Sequence, residues 1–319
     1  MQKMRAGVVG VGHMGGYHVI AYTELLEAEL VGVADPRMDR ARAIAETYNT
    51  KAYEDYRDLF DKVDAVSVCV PTELHYRVTK DFLEAGISVL VEKPIAPTLR
   101  EAEELFELAA KRNCILQVGH VERYNGAAQE LMNIVENPYF IESRRIGPFS
   151  GRNIKDGVVM DLMIHDLDIV LRLVSSPVEA ISAYGGRVFS DREDFATVLL
   201  WFESGTVASL IASRVSEYKT RTLAVSQKDM YIFLDYTDQE IFIHRQAKAH
   251  WWLLRDQIKY KQDSLIERIF VHKENPLKLQ LKHFLHRCMG EVDTELEPEK
   301  ELASLRVALE IVKQLNERG

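Results

Sequence analysis

The chain has 319 residues, of which 47% are hydrophobic, and this length and composition indicate about two globular domains and exclude an intrinsically disordered chain. Its 49 acidic residues outnumber 40 basic ones, giving a formal net charge of −9, and no dense basic block is present, so nucleic-acid binding is not expected. Cys69, Cys114 and Cys288 are far apart and show no CxxC spacing, which argues against a disulfide framework or a zinc site. The sequence has no apolar run of about 18 residues and no signal-peptide core at its start. A soluble, cytoplasmic protein without membrane association is therefore expected.

The first third of the chain alternates short β-branched segments with longer amphipathic segments. Strands are predicted over 4–10, 30–35, 65–70, 88–92 and 114–119, and helices over 14–26, 37–48, 76–85 and 98–112. Such alternation is typical of a parallel sheet covered by helices. The sequence thus predicts a doubly wound α/β domain over residues 1–120.

The alternation stops after Gly119, so we expect a second domain over residues 121–319. A helix is predicted over 160–174 and two more over 277–288 and 299–317, with intervening strands over 178–188, 195–202, 206–214, 221–226, 230–234 and 240–244. Turn-like segments join successive strands, which favours an antiparallel or mixed sheet in an α+β domain.

A glycine-rich segment follows the first predicted strand. Gly10, Gly12 and Gly15 match GxGxxG, with His13 and Met14 before the third glycine. In this pattern the first glycine permits a tight turn, the second lets the backbone approach a pyrophosphate, and the third allows close packing of helix and strand. The segment predicts a dinucleotide site.

An acid at the end of the second predicted strand strengthens this prediction. Asp35 lies about 20 residues after the loop, where a carboxylate accepts hydrogen bonds from an adenosine ribose and repels the extra phosphate of NADP. NAD is therefore the expected cofactor and NADP the less favoured one. Arg37, close by, is a candidate to contact a ribose phosphate, and Asp35 has an alternative interpretation as the N-cap of the next helix.

A lysine follows the fourth predicted strand. Lys93 lies just past the carboxyl edge of the predicted parallel sheet, where such sheets bind ligands, and Pro94 restricts its backbone. A cation here is suited to stabilise the alkoxide that forms when an alcohol is oxidised. The alternative is a solvated surface lysine.

Three polar residues recur at helical spacing on an otherwise apolar helix. Asp161, His165 and Asp168 are four and three residues apart and share one face. His165 is the natural general base, and Asp161 is placed to fix its tautomer. A structural hydrogen-bond network is the main alternative, whereas a metal site is not expected because no third His or Cys ligand is spaced nearby.

These motifs together resemble the glucose–fructose oxidoreductase and inositol dehydrogenase family, Gfo/Idh/MocA. The resemblance rests on the glycine loop, the segment from Val70 to His75, the tripeptide Glu92-Lys93-Pro94 and the Asp161–His165 spacing, and it covers essentially the whole chain. It implies a Rossmann domain, a second domain with a large open sheet, and a catalytic trio of Lys93, Asp161 and His165. It also implies association through the open sheet as a homodimer or homotetramer, and cofactor contacts from Pro71, Thr72, His75, Glu92 and Lys93. Many relatives carry Asn where Thr72 stands, which changes the group that meets the nicotinamide.

Within the family, residues 118–125 and 157–166 are most similar to enzymes that oxidise the 3-hydroxyl of UDP-N-acetylglucosamine. Candidate substrate contacts are His165 and five further residues: Arg123, Tyr124 and Asn125 after the last Rossmann strand, and Arg152 and Lys155, two cations suited to a diphosphate. Either cation has the alternative of ordinary solvated charge. Trp251 and Trp252 are candidates to stack a uracil, although core or subunit contact is the more common role.

The predicted function is NAD(P)-dependent oxidation of a sugar secondary alcohol, with Lys93 and His165 acting on one hydroxyl. The substrate class is a small sugar or nucleotide sugar. The alternatives are a dehydrogenase of free polyols or sugars and, from another class, a catalytically silent NAD-sensing regulator.

Overall fold

The structure is a computed structural model that describes residues 3–150, 155–245, 249–254, 257–262, 265–292 and 297–318. The chain forms two compact units. The first unit comprises Met1–Tyr124 and Glu274–Leu309, and the second comprises Asn125–Lys273 and Glu310–Gly319.

The first unit is built on a parallel sheet whose strands alternate with helices. Its elements in chain order are β1 (Met4–Val9), α1 (His13–Glu24), β2 (Ala28–Ala34), α2 (Met38–Thr47), β3 (Lys51–Tyr53), β4 (Ala65–Val68), α3 (Thr72–Glu84), β5 (Ser88–Glu92), α4 (Leu99–Arg112) and β6 (Leu116–Gly119). In the described residues the strand order is β3-β2-β1-β4-β5-β6, and each pairing is parallel. This order defines the doubly wound Rossmann arrangement, as predicted.

The buried strands of this sheet explain why the sequence pattern is so clear. β4 is buried at each of its four positions, and Val8, Val66, Val89 and Val91 are fully inaccessible. A strand covered on both faces is a continuous β-branched run. The strand order reverses between β1 and β4, so the loops that follow these two strands border the crevice where open α/β sheets bind ligands.

The second unit contains an extended, mostly antiparallel sheet. Its elements are α5 (Gly126–Ile134), β7 (Phe140–Ile146), a π-helix (Val159–Met163), α6 (Ile164–Val174), β8 (Val178–Gly186), β9 (Phe195–Phe202), β10 (Val207–Ser213), β11 (Thr220–Gln227), β12 (Met230–Asp235), β13 (Glu240–Arg245), β14 (Ala249–Leu254), β15 (Gln257–Gln262) and β16 (Leu265–Ile269). The described part of the main sheet has the order β16-β13-β12-β11-β7-β10-β9-β8, and only β7 and β10 pair in parallel within it. β14 and β15 form a separate hairpin. The large, mostly antiparallel sheet predicted for this part of the chain is confirmed.

One face of the eight-strand sheet carries apolar and aromatic side chains that are accessible in the single chain. β9 alternates between buried and accessible positions, as expected for a sheet covered on one side. The strand register places five accessible aromatic residues on its uncovered face: Phe140, Tyr184, Phe195, Trp201 and Tyr231. We refer to these five residues as the open face.

Two helices follow the strands, and the first of them joins the core of the Rossmann unit. α7 (Pro276–Cys288) and the beginning of α8 (Pro298–Arg318) belong to the first unit. Leu281, Phe284 and Leu285 are fully buried in one cluster with Val19 and Tyr22 of α1. The sequence analysis assigned these helices to the second domain, because no local pattern reveals that an apolar helix face packs on a strand–helix core formed far earlier in the chain.

The helix predicted over 160–174 is divided in the structure. Residues Val159–Met163 form a π-helix, and the α-helical part begins at Ile164. π-turns occur frequently at functional sites. Asp161 therefore lies in a wider turn than the α-helix that the sequence predicts, because an apolar pattern of three-and-four spacing does not distinguish the two.

Candidate active site

The glycine loop lies at the carboxyl end of β1 and its geometry requires glycine at two positions. Gly10 adopts φ +83°, and a Cβ there would lie 2.7 Å from the carbonyl oxygen of Cys69. A Cβ on Gly15 would lie 1.8 Å from the carbonyl oxygen of Gly10. A side chain at either position is thus incompatible with this turn. The roles that the sequence pattern assigns to the first and third glycines match the structure.

The N-terminus of α1 has the features of a pyrophosphate cradle. Gly12 is the N-cap residue, it makes no side-chain cap, and the first turn contains no acidic residue. A Cβ on Gly12 would meet only the tip of the Arg40 side chain, at 3.7 Å, so the backbone here is accessible to a ligand. The N–H groups at a helix N-terminus and the positive end of the helix dipole favour an anion at this point. The loop residues, with His13 and Met14 exposed, fit a dinucleotide.

Asp35 joins the end of β2 to the glycine loop. Its Oδ2 atom accepts a hydrogen bond from the Val11 amide at 3.0 Å, and Oδ1 accepts one from the Arg37 amide at 2.9 Å. The N-cap of α2 is Arg37, with no side-chain cap, so the helix-cap interpretation of Asp35 is wrong. The carboxylate is buried, and it lies beside the loop where a ribose binds in Rossmann domains.

A basic residue that the sequence analysis did not select pairs with this acid. Arg40 Nη1 lies 3.7 Å from Asp35 Oδ2, whereas the exposed Arg37 side chain reaches Asp39 at 3.5 Å. Arg40 is five residues beyond Asp35, in the first turn and a half of α2. The short distance in sequence between Asp35 and the start of α2 is the feature that could have indicated Arg40 as its partner.

Lys93 follows β5 directly and is half-buried. The Lys93–Pro94 peptide bond is cis. The preceding residue, Glu92, has a buried carboxylate whose Oε1 atom lies 2.8 Å from Nε2 of the buried His18 in α1. Burial alone would raise the pKa of Glu92, but the His18 hydrogen bond and the charges of His18, Lys93 and His75 bring it below its ordinary value. Glu92 thus anchors the lysine loop to the helix of the glycine loop, a role that its motif alone did not reveal.

The segment after β4 forms the start of α3. The helix begins at Thr72 with the exposed Pro71 as its N-cap residue, four residues before the predicted helix start at residue 76. His75 is buried in the first turn and both its ring nitrogens lie within hydrogen-bond distance of backbone carbonyl oxygens. Thr72 and His75 thus lie beside the same crevice as the glycine loop.

The polar stripe of the second unit is only partly accessible. Asp161 and His165 are half-buried, whereas Asp168 is buried and lies 3.6 Å from Arg172, one turn along α6. A further acid on this helix, Asp166, forms a buried two-pronged ion pair with Arg145 of β7, at 2.8 and 3.0 Å. This pair fixes α6 against the sheet. The accessible part of the stripe is therefore Asp161 with His165, and Asp168 has a structural partner.

A loop after β8 supports the start of the π-helix that carries Asp161. Glu193 accepts a hydrogen bond from Val158 through its carbonyl at 3.0 Å, and its carboxylate accepts one from Val159 at 3.3 Å. That carboxylate occupies the space where a Cβ on Gly157 would lie. The neighbouring Asp194, fully buried, pairs with Arg214 at 2.6 Å.

The Asp194 carboxylate holds this loop in shape. It accepts hydrogen bonds from the amides of Val188, Phe189 and Ser190. Burial alone would raise the pKa of Asp194, but these amides, Arg214 and the Ser190 hydroxyl hold it well below its ordinary value. The carboxylate is ionised at neutral pH, and the loop it organises supports the π-helix that carries Asp161.

The three candidate substrate residues after β6 have partners within their own units. Arg123 donates to both carboxylate oxygens of Glu301 at 2.9 and 2.7 Å, and Tyr124 Oη lies 3.0 Å from His283 Nδ1. The buried Asn125 caps α5 through the Ala127 amide at 3.1 Å. These contacts give each residue a structural role, and a role in substrate binding stays a prediction.

Four further candidates fall in or beside gaps in the description. Lys155 is exposed. Arg152 and the side chains of Trp251 and Trp252 lie outside the described residues. Over the described part of the chain, no group of three or more His, Cys, Asp or Glu side chains is arranged to hold a metal ion, and no described helix is both long and apolar enough to cross a bilayer.

The glycine loop, Asp35 and the half-buried Lys93 lie on a Rossmann sheet. Together they define a dinucleotide-dependent oxidoreductase. Residues 4–120 match the family model "oxidoreductase family, NAD-binding Rossmann fold", and residues 141–232 match the model of the GFO/IDH/MocA C-terminal domain. The chain belongs to the Gfo/Idh/MocA family, and it is a sugar or polyol dehydrogenase of that family.

Relatives with named activities are similar to most of this chain. The chain is 35% identical to UDP-N-acetylglucosamine 3-dehydrogenase of Acidithiobacillus ferrooxidans over 77% of this chain and 79% of that protein. It is 31% identical to myo-inositol 2-dehydrogenase of Thermotoga maritima over 67% of this chain and 70% of that protein. The solved structure of the A. ferrooxidans enzyme superposes with a TM-score of 0.88, at 30% identity, over 99% of both chains. These relatives favour an enzyme over a catalytically silent regulator.

Proposed function

We propose that this protein is an NAD-dependent dehydrogenase of the 3-hydroxyl of UDP-N-acetylglucosamine or a related nucleotide sugar. The observation that carries the proposal is the similarity to the A. ferrooxidans enzyme, which extends over the whole of both chains. In sequence, the A. ferrooxidans enzyme is 35% identical over 77% of this chain, against 31% over 67% for the T. maritima inositol dehydrogenase. Solved inositol dehydrogenases also cover 99% of this chain, but with lower TM-scores of 0.80 to 0.82 and at 17–19% identity. The nucleotide-sugar assignment is therefore preferred.

The preference for NAD rests on Asp35. Its buried carboxylate lies beside the glycine loop, and a carboxylate in that place accepts hydrogen bonds from the ribose hydroxyls and repels a ribose phosphate. Arg40 is partly neutralised by the same carboxylate, which lowers its attraction for a phosphate. NADP is accordingly the weaker cofactor.

Each catalytic residue has a distinct proposed task. Bound NAD supplies a two-electron acceptor at its nicotinamide ring. Lys93 stabilises the oxyanion that develops as the hydroxyl loses its proton. His165 accepts that proton, and Asp161, on the π-turn before it, orients the imidazole. Arg152 and Lys155 are proposed to bind the diphosphate of the substrate, and Arg123, Tyr124 and Asn125 to shape its site.

A substrate comparison tests the proposal. Purified protein with NAD is supplied with UDP-N-acetylglucosamine, UDP-glucose, myo-inositol or glucose, and nicotinamide absorbance is followed. Rapid reduction with UDP-N-acetylglucosamine and little with the free sugars supports a nucleotide-sugar enzyme. A kcat/KM highest for myo-inositol or glucose would establish the second candidate, a free-polyol or free-sugar dehydrogenase, which the Thermotoga maritima relative favours.

The open face is proposed to be covered by another copy of this chain, giving a homodimer or homotetramer. Aromatic side chains of one sheet face rarely stay exposed in a monomer. Sedimentation analysis of the protein and of a Trp201→Glu variant tests this proposal. We expect the variant to dissociate, and a monomeric parent protein would contradict the assignment.

A further inference from the structure

His75 links the two loops that border the nicotinamide end of the proposed cofactor site. Its Nδ1 atom lies 2.7 Å from the carbonyl oxygen of Pro94, next to Lys93, and Nε2 lies 2.8 Å from the carbonyl oxygen of Val70, at the start of the loop into α3. The side chain is 2% exposed. One buried ring therefore contacts the backbone of both loops.

The two contacts impose a condition on the ring. A carbonyl oxygen only accepts hydrogen bonds, and a neutral imidazole has one N–H group and one lone pair. A neutral ring would place a nitrogen lone pair against an oxygen lone pair at under 3 Å for one of the two contacts. Both contacts are hydrogen bonds only when both nitrogens carry a proton.

We propose that His75 is held as a buried imidazolium that clamps the Val70 and Pro94 backbones together and thereby positions Lys93. The inference rests on the proposed function only in the role assigned to Lys93. His75 is a positioning residue, because it acts on the reaction through the loop that carries the lysine.

A buried cation needs a counter-charge, and Glu92 supplies it. This carboxylate, from the end of β5, interacts electrostatically with His75 and Lys93 and is hydrogen-bonded to His18 of α1. Cys69, from the end of β4, is the other titratable group beside Glu92, and burial raises the pKa of its thiol well above the ordinary value, so it adds no negative charge. The neighbours of His75 on its own helix, Glu73 and Tyr76, are exposed or half-buried.

The helix dipole acts in the opposite direction. His75 lies in the first turn of α3, where the positive end of the helix disfavours a cation. This effect is small beside two charge-assisted hydrogen bonds and a buried counter-charge. The balance favours the imidazolium to higher pH than for an exposed histidine, which loses its proton near pH ~6.5.

His18 offers an internal comparison. Its Nε2 atom bonds Glu92, and in the described part of the chain its Nδ1 atom has no hydrogen-bond partner. A single N–H group suffices for that ring. Of these two buried histidines, only His75 needs two protons to satisfy its contacts.

Nitrogen NMR of ring-labelled histidine tests the protonation directly, without any substrate. Spectra of the full-length protein are recorded at about pH 8, where an exposed imidazole is neutral, and the His75 signals are assigned by their loss in His75→Asn. We expect both His75 nitrogens to show protonated shifts. A His75 nitrogen with an unprotonated shift at that pH would overturn the inference.

Kinetics test the positioning role. Asn in place of His75 retains a donor for one carbonyl and removes the clamp, so kcat should fall about 10- to 100-fold, as expected for a misplaced catalytic group, while the Kd for NAD stays within about threefold. His272→Asn, at an exposed position of the second unit, is the matched control. Unchanged kcat in folded His75→Asn would refute the positioning role. Near-normal turnover in Lys93→Met would instead refute the catalytic role proposed for Lys93 and leave the NMR result standing.

Discussion

The carboxylate of Asp35 and the amide nitrogen of Val11 are 3.0 Å apart and joined by a hydrogen bond. This contact ties the end of β2 to the glycine loop across 24 residues of sequence. Consequently a substitution at Asp35 is expected to affect both the proposed ribose contact and the loop that is proposed to bind the pyrophosphate.

Replacing Asp35 by Ala is expected to reverse part of the cofactor preference. The variant loses charge-assisted hydrogen bonds to the ribose and releases Arg40 to meet a ribose phosphate. The ratio of kcat/KM with NAD to that with NADP should fall about 10- to 100-fold. Steady-state kinetics with each cofactor measures this ratio. Asp39→Ala, which removes an exposed acid of α2, is the control. An equal ratio of the two kcat/KM values in both variants would argue against the role of Asp35.

Two adjacent glycines provide a matched pair for the loop. A Cβ at position 15 would lie 1.8 Å from the Gly10 carbonyl oxygen, whereas a Cβ at position 16 meets nothing within 4 Å. Gly15→Ala should lower the free energy of unfolding by about 2 kcal/mol or more and abolish NAD binding. Gly16→Ala, within α1, should raise stability by about 0.5 kcal/mol. Thermal unfolding and NAD titration measure both effects, and equal behaviour of the two variants would contradict the geometry.

Lys93→Met should separate cofactor binding from turnover. The side chain keeps most of its length but loses the charge that stabilises the oxyanion, so kcat should fall about a hundred- to thousandfold. NAD titration should give a nearly unchanged Kd, because the glycine loop and Asp35 are intact. Lys111→Met on the exposed face of α4 serves as the control. Retained turnover would assign Lys93 a non-catalytic role.

His165→Ala should remove the general base. Loss of a positioned base typically reduces kcat about 100-fold or more. The acidic limb of the kcat profile should also flatten, because protonation of the imidazole no longer inactivates the enzyme. The kcat values of the parent and of His165→Ala, measured between about pH 5 and 9, test this prediction. A reduced rate with the same profile as the parent would indicate a structural histidine.

Asp194→Asn should destabilise the protein in a pH-dependent manner. The pKa of Asp194 is lower in the folded state than its ordinary value of about 3.9, so its contribution is present above that value and is lost as pH falls through the folded-state value. Breaking the buried pair with Arg214 should cost about 3–5 kcal/mol at neutral pH.

The penalty should shrink as the pH is lowered below about 4, because the unfolded parent chain then binds a proton at Asp194 that the folded protein does not. Chemical denaturation at several pH values measures it. Asp191→Asn alters an exposed acid of the same loop and should have little effect. A penalty for Asp194→Asn that is constant with pH would show that folding does not lower the pKa of Asp194.

Most of the Rossmann unit was predictable because its pattern is local. The buried strands are short runs made mostly of Ala, Val and Leu, and the glycine loop joins one strand to a helix. β3, with three residues, is too short for such a pattern. The pairing of Asp35 with Arg40, by contrast, depends on the direction of an arginine side chain that spacing alone does not determine.

The second unit was harder to predict for identifiable reasons. β7 lies in the middle of the sheet, yet Glu142, Arg144 and Arg145 make it resemble a surface segment. Arg145 is tolerated there because Asp166 pairs with it, which is a tertiary contact that local sequence does not reveal. α5 is short, and β15 and β16 contain charged residues that obscure the alternation. The π-turn at Asp161 was not predictable, because its apolar residues have the same spacing as in an ordinary α-helix.

The return of α7 to the first unit has a consequence for how the protein is made. Val19 and Tyr22 pack against Phe284 and Leu285, so the ribosome must add about 160 further residues after the last Rossmann strand before this surface can be covered. A nascent chain generally folds domain by domain as it emerges. Here the nucleotide-binding module stays incomplete until synthesis is nearly finished, and during that interval its uncovered helix is a natural target for a chaperone.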